Sequence, residues 1–171
     1  ALRYSQQAVQ HSQQVQNRDK ESYAWNYLGH ALAGLGQLPQ AADAYGKAIA
    51  LARDLALPFM VIEPLAGLVR ISQAQGEPPA TSLGYVEEIL ALLAQLSLDS
   101  LEEPFAVYLT CYQALAAYQD PRAETLLQEC HSLVAQLERE LSEFLPSSPI
   151  FELNHAAPGE RVTLPVSALP R

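Results

Sequence analysis

Residues 25–53 read WNYLGHALAGLGQLPQAADAYGKAIALAR, and this stretch decides the fold. Trp25, Leu28, Leu32 and Leu35 recur three and four apart, as do Ala41, Ala42, Tyr45, Ala48, Ile49 and Ala52. That period puts each set on one face of a helix. Between them, Gly36 stops the first helix, and Pro39 falls in the first turn of the second, where a missing N–H costs nothing. Two antiparallel helices joined by a short turn are predicted. The glycines also invite comparison with a phosphate loop, since Gly29 and Gly34 have G-x-x-x-x-G spacing. Such a loop needs Lys-Ser/Thr after the second glycine and a strand before the first. Leu35 and Gly36 follow instead, and no Lys comes before Lys47. The glycines therefore read as packing residues, with Gly29 at a helix crossing.

Outward from this hairpin, the same punctuation recurs. GLGQLPQAADAY (34–45), AQGEPPATSLGY (74–85) and AYQDPRAETLLQ (117–128) each set a Pro-bearing polar turn between two helical patterns. Gly36 and Gly76 are 40 residues apart, and Gln119 takes the glycine's place 43 residues further on. The expected elements are a half repeat over 1–16 and helix pairs over 22–36 with 39–55, 59–75 with 79–96, and 103–118 with 121–144. Period-2 alternation is nowhere sustained, so the fold class is all-α with about seven helices. From 146 to 171 prolines recur without helical period, which predicts an irregular tail. The opening ALRYSQQAVQHSQQ has the pattern of a helix interior rather than a signal peptide, so a fragment of a longer protein is expected.

The first pair resembles the tetratricopeptide repeat. Trp25, Leu28, Gly29, Gly36, Ala41, Tyr45 and Ala48 stand at the offsets of that motif, with Leu32 replacing its Tyr. Later pairs match less closely. In the second, Leu65, Leu68, Val69, Tyr85 and Ile89 keep the apolar pattern and Thr81 is the counterpart of Ala41. In the third, Tyr108, Cys111, Tyr112, Leu115 and Leu126 hold the core positions. The resemblance implies helix pairs stacked as a right-handed α-solenoid over residues 1–145, because one pair cannot bury its apolar face alone. The long spacing is similar to that of repeat regions in bacterial signal-transduction ATPases and in LuxR-type or maltose-activator-type transcriptional regulators. A cytoplasmic protein-interaction or oligomerisation module follows from that likeness, or else a domain that senses a small-molecule inducer.

Charge narrows the partners. Residues 1–57 carry five Lys/Arg and four Asp/Glu, whereas 58–171 carry five and fifteen. Phosphate backbones and anionic lipid are repelled by such a surface, so neither direct nucleic-acid binding nor membrane binding is expected. The expected partner is protein, either other domains of a parent chain or a separate protein. A homodimer through the exposed apolar edge of helix 1–16 is a further expectation. Cys111 and Cys130 read as buried free thiols in a reducing compartment. No spacing of His and Cys suits a metal, so neither metal nor cofactor is expected. Neither Glu87-Glu88 nor Glu102-Glu103 has a neighbour suited to acid–base chemistry, and the second pair reads as first-turn acids of a helix after Ser100. No catalytic residue is assigned.

In tetratricopeptide arrays the first helix of each pair lines a concave groove. The resemblance places Tyr23, Asn26, His30 and Gly34 there from the first pair, Glu63, Arg70 and Gln73 from the second, and Leu109 and Gln113 from the third. Asn26 and His30 replace the Lys and Asn that clamp a C-terminal carboxylate, which disfavours that ligand. Tyr23, His30 and Arg70 are the residues expected to carry inducer binding on the sensor reading.

Overall fold

In the computed structural model, residues 1–96 and 101–144 are described. The tail expected over 146–171 lies outside them. Seven α-helices and no strand are present among the described residues: α1 Leu2–Gln14, α2 Arg18–Gly34, α3 Leu38–Asp54, α4 Phe59–Ala74, α5 Pro79–Leu93, α6 Pro104–Ala117 and α7 Arg122–Phe144. None is long and apolar enough to cross a membrane. The chain divides into two compact units, Ala1–Leu127 and Gln128–Arg171.

Five of these helices, α1 to α4 and α6, end by one device. Gln16, Gly36, Ala56, Gly76 and Gln119 all adopt positive φ, between 52° and 73°. The residue after each donates its backbone N–H back across the helix end, from Asn17 to Ser12, Gln37 to Leu32, Leu57 to Ala52, Glu77 to Ser72 and Asp120 to Leu115. This left-handed cap satisfies carbonyls that the helix leaves unpaired. The first four positions are twenty residues apart, so the repeat is written in the caps even where the residue is not glycine. Gln119 does occupy the glycine's place. Helix starts follow the prolines, with Pro39, Pro79 and Pro104 in the first two positions of α3, α5 and α6. The exception is α2, which begins four residues earlier than the sequence pattern suggested. There Asn17 accepts from Lys20 N at 3.2 Å, and Asp19 and Glu21 follow in the first turn. The polar run from Gln16 to Ser22 thus holds a complete N-cap.

In the first unit, α2 packs on α1, α3 and α4, and α4 packs on α3, α5 and α6. Helices α2, α4 and α6 thus form one layer in which neighbours touch. Antiparallel helix pairs stacked side by side in this way make an α-solenoid.

The core of the first pair joins Val9 of α1, Leu28 and Leu32 of α2 and Ala41, Ala44 and Tyr45 of α3 to Ile71 of α4. Tyr45 sits at its centre and is 1% exposed. A Cβ on Gly29 would lie 2.5 Å from its ring, and one on Gly67 would meet the ring from the α4 side. Two helices therefore close on one aromatic because each offers a glycine. Gly29 has its expected place at a crossing; Gly67 had no signal beyond lying within an apolar helix.

The second pair keeps the plan in a shifted register. Ser82, Val86 and Ile89 are fully buried, while Thr81 and Tyr85 are half-exposed. The second helix has slipped one residue relative to the forty-residue spacing, so Ser82 rather than Thr81 takes the place of Ala41. Ser72 and Ser82 hydroxyls meet at 2.5 Å across the α4–α5 crossing, and Ser72 also donates to Val69 O. In α6, Tyr108, Cys111 and Leu115 are buried as expected, and Tyr112 is half-exposed.

The second unit contains α7 from Gln128 onward. Cys130 there is only half-buried, whereas Cys111 in the first unit is fully buried, and neither forms a disulfide. The expectation of two buried thiols therefore holds for one.

Candidate groove site

The layer of α2, α4 and α6 carries a groove of about 280 Å³, lined by Tyr27 and His30 of α2, Glu63, Ala66 and Arg70 of α4, Glu102 and Glu103 just before α6, and Ala106 and Val107 of α6. A second, water-sized pocket of about 10 Å³ involves Ser22, Tyr23 and Asn26 with Phe59, Met60, Glu63, Leu101 and Glu102. Glu63 and Glu102 belong to both.

Hydrogen bonds tie the three helices together along this face. Glu63 Oε2 accepts from Asn26 Nδ2 at 3.2 Å, while Oε1 accepts from the backbone N–H of Glu102 and Glu103 at 3.2 and 3.3 Å. The carboxylate thus serves donors that open the following helix, where a negative charge is favoured. Its pKa is nonetheless raised: burial outweighs everything else, the Glu102 charge adds to it, and the backbone and Asn26 donors oppose it. Arg70 Nη1 donates to Thr110 Oγ1 of α6 at 3.1 Å. Tyr27 donates its phenol proton to Glu102, and that bond, with burial and the surrounding carboxylates, pushes the phenol up to about 12.

His30 is exposed by area yet crowded on one side. Its Nδ1 lies 2.9 Å from the Tyr45 hydroxyl, and the two rings meet edge to face with centroids 5.4 Å apart. Desolvation first and the Arg70 charge second depress its pKa, against a smaller upward pull from Glu103 and Glu102. The imidazole is therefore neutral near pH 7, and its Nδ1 shares one hydrogen bond with the Tyr45 hydroxyl. Through this bond the aromatic that locks the core also fixes a groove side chain.

Glu102 and Glu103 precede α6 rather than forming its first turn. Glu103 is the residue before Pro104, and both acids turn toward the groove. They were legible as charged but not as groove residues, because the loop that carries them is placed by Glu63. Of the residues expected on the groove, His30, Glu63 and Arg70 line the larger cavity, and Tyr23, Asn26 and Glu63 line the small pocket. Asn26 is buried, at 4% exposure, and acts first as a strut to Glu63. Gly34, Gln73 and Gln113 line neither space. A Cβ on Gly34 would meet nothing within 4 Å, and Leu109 is 54% exposed outside both. Tyr27 was missed, although its spacing of four from Tyr23 and three from His30 puts it on the same helical stripe.

Chemically the face offers many acceptors and one fixed cation. Three carboxylates face one guanidinium that is already bonded to Thr110. No cluster of three or more His, Cys, Asp or Glu side chains suited to a metal forms among the described residues. No protein-family profile matches the chain, and no curated protein does. Among solved structures, the crystal structure of BtubC (BKLC) from P. vanneervenii is similar, with 14% identity and a TM-score of 0.65 over 96% of this chain. The match covers 61% of that chain, so this sequence spans less than two thirds of its neighbour. At that identity, what the two share is the all-helical fold.

Proposed function

We propose that the chain is a protein-interaction module whose α2/α4/α6 face receives an extended segment of a partner protein. The observation that carries this reading is the groove itself. Helices α2 and α4 and the residues leading into α6 contribute polar side chains to one space, and Glu63, Arg70 and Tyr27 cross-link these elements so that the surface is formed in advance. Preorganisation lowers the entropic cost of binding a flexible segment. The tetratricopeptide-like motif at Trp25–Ala48 supports the same use, since arrays of that kind bind along this face. Its similarity to regulator repeats supports a place in bacterial signal transduction or transcription control.

Selection of peptides from a displayed random library on the purified chain tests the reading. Selected peptides should lose binding to Tyr27→Ala and Arg70→Ala and keep it with Gln113→Ala, which lies outside the groove. Peptides that bind all three variants equally would remove the groove from the proposal. An inducer-sized ligand is the second reading, favoured by the groove volume, which approaches the lower end of small-molecule sites. A thermal shift with a sugar or metabolite that disappears in Arg70→Ala would move the assignment there.

A further inference from the structure

The small pocket beside the groove contains an unfinished hydrogen-bond arrangement. Asn26 is 96% buried by its 4% exposure. Its Nδ2 must face the Glu63 carboxylate, because a carboxylate can only accept. That orientation leaves Oδ1 buried without a partner, the only such side-chain atom among the described residues. An orphaned buried acceptor costs free energy unless something donates to it. Apart from the Tyr23 phenol, the rest of the polar lining is also rich in acceptors. Ser22 Oγ already gives its proton to Ala48 O at 2.9 Å, so only its lone pairs are left. Glu63 has used three of its roughly four acceptor positions, and Glu102 brings a second carboxylate. Phe59, Met60 and Leu101 supply apolar wall.

We infer that this pocket receives a primary ammonium group, the side-chain head of a lysine in the partner segment that lies in the groove. The space holds about one water-sized group, a compact shape that an ammonium matches more closely than a planar guanidinium. An ammonium brings three donors and no acceptor, which suits Asn26 Oδ1, Glu63 and Glu102. The lysine stem is four methylenes long and lies favourably along apolar surface such as Phe59, Met60 and Leu101. A cation also offsets the burial of the Glu63 carboxylate, the main reason its pKa is raised, and the smaller repulsion from Glu102. The choice of lysine over other cations deepens the groove reading and depends on it.

Fluorescence anisotropy with a labelled Lys-Ser repeat peptide, its Arg-Ser and Glu-Ser counterparts, and spermidine as competitor tests the inference. The Lys peptide should bind about tenfold more tightly than the Arg peptide, the scale of one charge-assisted hydrogen bond. The Glu peptide should bind least. Glu102→Gln, an exposed change that keeps the shape, should remove most of the Lys preference, and Asn26→Ala should abolish it. Because Asn26 is buried, helicity of that variant is checked by circular dichroism, and Glu102→Gln carries the test if Asn26→Ala unfolds. Equal binding of Lys and Arg peptides overturns the pocket assignment while leaving the groove reading intact, provided library-selected peptides still need Tyr27. If no peptide binds at all, the groove reading falls and takes the pocket with it. Spermidine binding more tightly than the Lys peptide overturns the protein source of the ammonium. A bound water that stays in the pocket in a crystal structure with the Lys peptide overturns the assignment as well.

Discussion

The hairpins α2–α3 and α4–α5 have the same shape and are held by different chemistry. In the first, Tyr45 reaches from α3 into a notch made by Gly29 of α2 and Gly67 of α4, and its hydroxyl ends on His30 in the groove. In the second, Val86 and Ile89 fill the corresponding space, and a buried pair of hydroxyls, Ser72 and Ser82, closes the crossing. One hairpin depends on a large side chain that links three helices and the groove. The other depends on small residues and a short Ser72–Ser82 contact, with the Tyr118 hydroxyl at the end of α6 3.5 Å from Ser82. Damage to the first should therefore spread, whereas damage to the second should stay near the α4–α5 crossing.

Tyr45→Ala should show the largest effect, a loss of about 3–5 kcal/mol, as for deletion of a fully buried aromatic. Trp25 is the single tryptophan and lies in the first pair, so urea unfolding followed by its fluorescence reads this hairpin directly. If the α-solenoid unfolds repeat by repeat, the fluorescence transition should move further than the circular-dichroism transition. Coincident shifts would show that the pairs unfold as one.

Next in size, Gly67→Ala should cost about 1–3 kcal/mol by overpacking. The Tyr45 ring cannot retreat, because Gly29 stands on its other side. Gly84→Ala is the matched control in the second pair. A Cβ there meets nothing within 4 Å, and alanine should stabilise the helix by about 0.5–1 kcal/mol. Equal effects at the two positions would refute the notch.

Ser82→Ala should cost about 1–2 kcal/mol by leaving the Ser72 hydroxyl without this partner in a buried site. The double variant Ser72→Ala/Ser82→Ala should cost less than the sum of the singles, since it removes both polar groups together. Additive losses in denaturant would show that the hydroxyls do not act as a pair.

The pH effect is smaller and comes from His30. Its folded pKa lies below the ordinary 6.5, so the folded state binds fewer protons than the unfolded chain in that window. Stability from His30 is therefore fully present above about pH 6.5 and is lost as pH falls through that window toward the folded value. Glu63 has the opposite sign, because its raised pKa makes the folded state lose stability as pH rises from the ordinary carboxyl range. Urea midpoints between about pH 7 and about pH 5 should fall less in His30→Gln than in the parent chain. An unchanged profile would remove His30 as the source.

The difference between pairs also marks how far residues could be read without coordinates. Helical spacing, Pro39 and the glycine stops placed α3 and α4 within a residue or two, because these signals act through neighbours along the chain. The early start of α2 was legible too, in Asn17, once its cap is weighed against the polar run around it. Register in α5 was not legible. Both Tyr85 and Val86 are apolar, and only packing on α4 chooses which one goes inside. Tyr27 could have been found from its spacing, whereas the groove role of Glu102 could not, since it depends on a loop anchored by Glu63 from another helix.

By itself the sequence determined an all-α chain of helical hairpins, the places where helices stop, and Gly29 as a crossing residue, because helix propensity, capping and turn chemistry are local. The tertiary structure decided that Tyr45 lies between two glycines, that α5 is shifted by one residue, and that Asn26 is a buried strut with an unused acceptor. Each of these depends on side chains meeting from different helices, and no local pattern specifies which of several apolar or polar neighbours will meet.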